Sequence, residues 1–250
     1  MSESNSEDEA EEAEGYQHFN SGREDVDTFE IELFGEAICI AQTPGDTSIG
    51  HGAVVWEAAV CFAKYIERGT DKNLSDTKLC GKRVLELGCG PGLGGIATMM
   101  KGSHVTFTDL EPVMRAVGEP NVMSIYSSLT TRGAGEFADL LRPEVGSLDW
   151  TEIGGLGRIT EEPFDYIICC DCVFSEALIP HLIRTIQDAC TPRSLVYIVH
   201  EIRDEDANNL FLARLKDNFS VKIIPSSKQH QQYVHSLVQI VFAKPLKQRK

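Results

Sequence analysis

Three short stretches of this chain carry side chains that could do chemistry. VLELGCGPGLGG, residues 84–95, is an apolar run that breaks into glycines at 88, 90, 92, 94 and 95. HVTFTD, residues 104–109, is a second apolar run, and it ends in Asp109. ICCDCVF, residues 168–174, sets Cys169, Cys170 and Cys172 around Asp171, ahead of Phe174. Glycine permits a tight turn and lets backbone approach a bound molecule closely. An acid at the tip of the following strand can accept both hydroxyls of a ribose, and Asp109 stands 21 residues after Gly88. The spacing favours that role, with a helix cap over EPVMRAV as the alternative or as a second job. Trp150, at the end of GSLDW, can lie against an adenine edge with Asp149 near its amino group, or it can fill a gap in the core.

The glycine stretch reads in two phases. From Gly90 it fits GxGxxG through Gly92 and Gly95, which suits a dinucleotide. From Glu86 it fits ExGxGxG through Gly88, Gly90 and Gly92, the pattern of methyltransferases that use S-adenosyl-L-methionine. Register favours the second phase, because the apolar strand stops at Leu87 and the turn must begin at Gly88. Pro91 has no amide proton to give a phosphate. A carboxylate at Glu86 beside the site favours a cationic ligand, such as a sulfonium with an ammonium, and opposes a dianion.

Cys169 and Cys172 have CxxC spacing. Zinc wants four ligands, usually from two such pairs, and the sequence holds no second CxxC. Redox use needs a helix N-terminus to lower a thiol pKa. This pair lies on a strand, where residues three apart point to opposite faces. The reading favoured is free, buried thiols at the end of a strand. Asp171 then sits at the strand tip over a ligand, unless it caps the helix over LIPHLIR.

These residues need a sheet to hold them. FEIEL and EAICI alternate around Phe34-Gly35 and predict an N-terminal hairpin. AVVWEAAVCFAKYIERG places Val54, Ala58, Cys61, Phe62 and Tyr65 on one helical stripe that ends at Gly69. Residues 70–81 read as polar linker. Strands RVLEL, HVTFTD, FDYIICC and SLVYIVHE alternate with helices over LGGIATMMKG, LIPHLIRTIQDAC and DANNLFLARLKDNF. EPVMRAVGEPNVMSIYSSL is helical in parts, broken near Gly118-Glu119-Pro120, and a short strand falls near GSLDW. VKIIP and HSLVQIVFA close the chain as two strands with no helix between them. The fold class is α/β: a Rossmann-like, seven-stranded, mostly parallel sheet with helices on both faces and an antiparallel hairpin at one edge. One domain spans 27–245, after an acidic disordered tail over 1–26.

Bulk properties narrow the function. The formal net charge is −15, and the first 25 residues hold nine acids and one base. Such a tail cannot bury enough apolar surface to become ordered; it serves solubility, or docking and phosphorylation. An acidic chain is a poor nucleic-acid binder. No apolar run is long enough to cross a bilayer, and the N-terminus lacks the plan of a secretory signal. A cytosolic protein, with the nucleus as a second compartment, is expected. Its eight cysteines are then free thiols.

On four segments, GHGAVVWEAA, VLELGCGPGLGG, FTDLE and CDCVF, and on HEIRD after the fifth strand, the chain resembles a known family. It is similar to the seven-stranded class I methyltransferases, and more narrowly to the methyltransferase-like protein-lysine methyltransferases, over residues 28–243. The resemblance implies that S-adenosyl-L-methionine is held by Trp56, Glu86, Gly88, Cys89, Gly90, Gly92, Asp109, Trp150 and Cys170. It implies a protein substrate, with a chaperone or ATPase-type protein among the candidates, and a monomeric enzyme. Phe174 stands where the family commonly has tyrosine, so no hydroxyl role is assigned there. On this reading Asp171 orients a lysine amine and Phe174 walls the channel, with Glu201 or His200 at its border. A methyltransferase with another acceptor, protein histidine or a small molecule, and a non-catalytic cofactor-binding module are the competing readings.

Overall fold

A hairpin opens the structure, a computed structural model that describes residues 27–46, 49–131, 137, 139–160 and 162–247. The tail expected over 1–26 lies outside them. Strands β1 (Thr28–Leu33) and β2 (Glu36–Ala41) pair antiparallel. Phe34 and Gly35 both take positive φ, 52° and 79°, which matches the right-handed twist of a two-residue hairpin turn. The inward side chains Phe29, Ile31, Leu33, Ile38 and Ile40 are buried against helix α1 (Glu57–Arg68). The helix therefore has apolar cover beyond one stripe, and Val60, Ala63 and Ile66 are buried as well. It begins after Trp56, so Val54 lies outside it, and it ends on the left-handed Gly69.

Residues 70–81 are not the plain linker expected. Asp71 caps a tight turn over Lys72–Leu74 and accepts hydrogen bonds from the hydroxyls of Tyr65 and Tyr197 at 3.0 and 2.8 Å. A further helical turn follows over Asp76–Leu79.

The main sheet has strands β3 (Arg83–Leu87), β4 (His104–Asp109), β5 (Glu144–Ser147), β6 (Phe164–Cys170), β7 (Cys190–Glu201), β8 (Phe219–Ile223) and β9 (Val238–Pro245). Their order is β5-β4-β3-β6-β7-β9-β8. The first five are parallel, and β9 runs antiparallel to both β7 and β8. This is the expected mostly parallel sheet with an antiparallel edge. The order reverses between β3 and β6, and ligands of such sheets sit beyond the strand ends at that switch. Alternate side chains of β3 go to opposite faces. Val84 joins the apolar cluster beneath α1 and helix α2 (Leu93–Met99), while Leu85 and Leu87 join the cluster with helix α4 (Ile179–Ala189) and helix α5 (Glu205–Lys216). Helix α3 (Glu119–Thr131), in the connection from β4 to β5, joins the first cluster through Val122, Ile125 and Leu129.

The break expected at Gly118-Glu119-Pro120 is a change of winding instead. The chain is helical from Glu111 to Thr131, with a π-helical turn over Met114–Gly118 whose next amide, that of Glu119, donates to the Met114 carbonyl. Proline lacks an amide proton and its ring crowds the preceding turn, and one extra residue in that turn accommodates both. Among the described residues no helix is long and apolar enough to cross a membrane.

Candidate active site

The ends of β3, β4 and β6 open on a cavity of about 780 Å³. That size suits a cofactor or other small molecule. Its donor wall is the turn after β3. Gly88 has φ +63°, and a Cβ there would lie 2.7 Å from Cys172 Sγ and 3.0 Å from Trp150 Cζ2. Gly90 has φ +52° and presses on the Gly52 carbonyl, 3.0 Å from where its Cβ would be. Glycine alone meets both demands. Gly92, also at positive φ, precedes the first turn of α2. Cys89 lines the cavity with its thiol buried, and burial pushes that thiol's pKa well up.

Asp109 also faces the cavity. Its Oδ2 accepts from the Gly90 amide at 2.8 Å and its Oδ1 from the Leu110 amide at 2.7 Å. The carboxylate is thus tied to the glycine turn, and the residue at the cap of the next helix is Leu110. Burial raises the Asp109 pKa, opposed by those two amides. The Trp150 ring forms an adjacent wall, and its buried Nε1 has no partner among the described residues. Asp149 lines the cavity too; Thr151 donates to its Oδ1 from both amide and hydroxyl, which lowers its pKa. Trp56 and Cys170 complete this side, with the Trp56 Nε1 donating to the His51 carbonyl at 2.9 Å.

Glu86 stands elsewhere than expected. It does not line the cavity but lies behind the turn, 1 % exposed, because its place in β3 aims it at the sheet face under α2. Its Oε2 accepts from the Gly95 amide at 3.0 Å, and its Oε1 is a buried atom without a partner among the described residues. Burial raises its pKa to about 8, with the Gly95 amide opposing and the Asp109 charge adding. Glu86 therefore supports the turn, and its field reaches the cavity only through it.

The acceptor wall is built differently. Asp171 is a non-glycine residue at φ +61°, with its amide donating to the Val199 carbonyl at 2.7 Å. It does not cap α4, where Leu178 holds that position. Its carboxylate grips Arg203, which comes from the loop after β7: Nη1 donates to Oδ1 at 3.1 Å and Nη2 to Oδ2 at 2.5 Å. Glu201 does not line the cavity, but it gives its amide to Asp171 Oδ1 and its carboxylate to Arg203 Nη2. Burial would lower the Arg203 pKa, but its bond to Asp171 and the two carboxylate charges raise it. His200 does not border the channel. It is buried under α5, with Nε2 2.9 Å from Asn208 Oδ1 and its ring edge-on to Phe211, and burial lowers its pKa. Phe174 stands at the rim, 61 % exposed.

The strand rule for Cys169 and Cys172 fails here. The strand stops at Cys170, and the left-handed turn at Asp171 folds Cys172 back against the end of β3. Its thiol donates to the Leu87 carbonyl at 3.1 Å, and both cysteines sit in the same apolar cluster. All eight cysteines are free thiols.

Two features suit a cationic nucleoside ligand: the carboxylate of Asp109 at a strand tip beside a backbone-only turn, and the buried Trp150 Nε1 of the cavity lining, left without a partner among the described residues. Asp109 would hold the ribose and Trp150 the base edge. Fold and site together define a class I methyltransferase that uses S-adenosyl-L-methionine. The profile of the lysine methyltransferase family matches residues 36–218, and the chain belongs to that family. It is 30 % identical to protein N-lysine methyltransferase METTL21A of Danio rerio over 190 residues, 76 % of this chain and 78 % of that protein. It is 29 % identical to EEF1A lysine methyltransferase 3 of Xenopus tropicalis over 199 residues, 79 % of each. Solved structures share the fold. One is the T. thermophilus 16S rRNA N2 G1207 methyltransferase in complex with AdoMet and guanosine, with TM-score 0.54, 16 % identity, and coverage of 88 % of this chain and 50 % of that one. Another is a putative SAM-dependent methyltransferase from Streptococcus mutans, with TM-score 0.56, 16 % identity, and coverage of 88 % and 56 %. The chain spans about half the length of these two structures.

Arg203 and Gly118 were missed in the sequence. HEIRD contained Arg203, but an ion pair across 32 positions has no local pattern. Gly118 brings the π-helical turn against the Gly90 carbonyl, 3.2 Å from where its Cβ would lie, and only the pairing of Gly118 with Pro120 hinted at it.

Proposed function

We propose that the chain transfers a methyl group from S-adenosyl-L-methionine to the ε-amine of a lysine in a protein substrate. The observation that carries this reading is a single cavity with two unlike walls: Asp109 and the glycine turn on one, Asp171 and the exposed Phe174 on the other. When bound, the cofactor would supply an electrophilic methyl group on a sulfonium for the lone pair of the lysine amine. Asp109 would accept the ribose hydroxyls, the turn from Gly88 through Cys89 and Gly90 to Gly92 would hold the amino-acid portion, and Trp56, Trp150 and Cys170 would wall the rest. Asp171 orients the amine by accepting one of its N–H bonds. Phe174 walls the channel and offers its ring face to the methylated ammonium. Alignment of two held groups lowers a barrier by up to about 7–11 kcal/mol in well-oriented systems.

The net charge of −15 supports a protein rather than a nucleic-acid partner. Eight unpaired thiols support a reducing compartment, cytosolic or nuclear. We take the working form to be a monomer. Calorimetry with S-adenosyl-L-methionine, followed by labelling of a cell lysate with its radioactive methyl form, tests the reading. Heat of binding and a base-stable label mapped to lysine are expected. Label on histidine or on a small molecule would move the acceptor, and absence of binding would end the proposal. The labelled band also tells whether the substrate is a chaperone or ATPase-type protein, or resembles the EEF1A named in the relatives.

A further inference from the structure

A lysine side chain arrives as an ammonium and reacts as an amine. A bare carboxylate beside it opposes that change, since an opposite charge nearby favours the protonated form. Asp171 faces the cavity with its side chain 4 % exposed, so water screens it little. Arg203 removes the difficulty. Its planar fork takes both oxygens of Asp171, and its guanidinium lies over the Trp56 indole, 5.1 Å from the ring centroid. The backbone on either side is fixed: the Ile202 amide donates to the Leu237 carbonyl, and Asp204 caps α5 through the Ala207 amide.

The count of acceptor sites is informative. A carboxylate offers about four. Oδ1 accepts from the Glu201 amide and Arg203 Nη1, and Oδ2 accepts from Arg203 Nη2. Among the described residues one site on Oδ2 stays open. We infer that Arg203 is a positioning residue for the acceptor. It offsets the charge of Asp171, with Glu201 sharing the same guanidinium from outside the cavity lining, and it fixes the Asp171 carboxylate, so that Asp171 takes one N–H of a neutral lysine amine without holding it as ammonium. The left-handed backbone at Asp171 fits this role, because strain at a non-glycine residue persists where surrounding contacts over-determine it. The inference rests on the lysine-transfer reading above.

The test uses the full chain and a methyl-acceptor lysate in serial dilution. The plateau labelling rate and the half-saturating lysate concentration are read for the unaltered chain, R203A and R203K. R203A lowers the plateau by about tenfold or more while half-saturation moves by less than about threefold, the mark of a loss in the reacting state rather than in binding. R203K keeps the charge without the fork and recovers part of the plateau. Calorimetry with S-adenosyl-L-methionine on each variant reports an intact donor site. An unchanged R203A plateau overturns the inference. So does a lower half-saturation with an equal or higher plateau, which would make Arg203 a cation competing with the substrate. If R203A loses its donor site, R203K decides alone, and a plateau equal to that of the unaltered chain overturns the proposal. An unaltered chain that labels no lysine defeats the transfer reading, and this inference with it.

Discussion

The two walls of the cavity are made by different means. On the donor side the chain uses backbone: three glycines at positive φ, amides aimed at Asp109, and a helix packed so closely that only glycine fits. On the acceptor side it uses side chains drawn from distant segments, with Asp171, Glu201 and Arg203 joined in one charged network and Phe174 left in solvent. Steric fit to a fixed ligand calls for rigidity. A wall that must admit one residue of a large partner needs an open rim and its carboxylate held by an ion pair.

If that contrast is right, the largest effect belongs to the donor wall. A Cβ on Gly95 would lie 2.3 Å from Phe107 Cε1 and 2.5 Å from Glu86 Oε2, both on buried side chains. G95A should destabilise the protein by about 3 kcal/mol, near the upper end of usual overpacking costs, and abolish the heat of S-adenosyl-L-methionine binding. G157A, with nothing within 4 Å of its Cβ, should leave the melting temperature and the binding heat in place. Equal melting curves for the two variants would contradict the steric account.

D171N comes next. Asparagine tolerates the left-handed backbone but cannot match the Arg203 charge. The transfer rate should fall about a hundredfold, roughly 2.7 kcal/mol, while cofactor affinity stays within about threefold. A parallel loss of both would show that the walls are not separable.

The pH dependence sharpens the donor side. Glu86 has a pKa near 8 in the folded chain, raised from 4.5 by burial. The folded state therefore holds a proton that the unfolded chain releases, so this group's contribution to stability is complete below 4.5 and is lost as pH rises through about 8. Thermal unfolding without ligand should weaken from pH 5 to 9 more steeply in the parent than in E86Q. A cationic ligand favours the charged carboxylate, so binding of S-adenosyl-L-methionine near pH 7 should release protons, measurable by calorimetry in buffers of different ionisation enthalpy. Identical slopes in parent and variant would remove Glu86 from this account. The smallest effect is expected from F174A: a rise of about threefold in half-saturating acceptor, with melting temperature unchanged because the ring is already in water.

Where geometry follows from neighbours in sequence, it was readable. The glycines after β3 and Asp109 after β4 stand at strand ends, and strand ends follow from apolar runs. Glu86 was placed one layer out of position because its motif suggested a ligand contact, whereas strand alternation alone directs it to the face under α2. Cys172 followed the rule for a strand that in fact ends two residues earlier, at Cys170. Asp71 looked like linker because its partners, Tyr65 and Tyr197, lie 6 and 126 positions away. Arg203 had the same handicap.

The contact between the hairpin and α3 has a use beyond packing. Asn121 clasps Ala41 at both ends, accepting from its amide and donating to its carbonyl, each at 2.8 Å, much as a neighbouring strand would. A peptide group at the close of a two-stranded ribbon would otherwise trade its hydrogen with solvent quickly. Deuterium uptake at Ala41 therefore acts as a remote gauge of whether α3 is seated, and ligand that tightens the cavity should slow it.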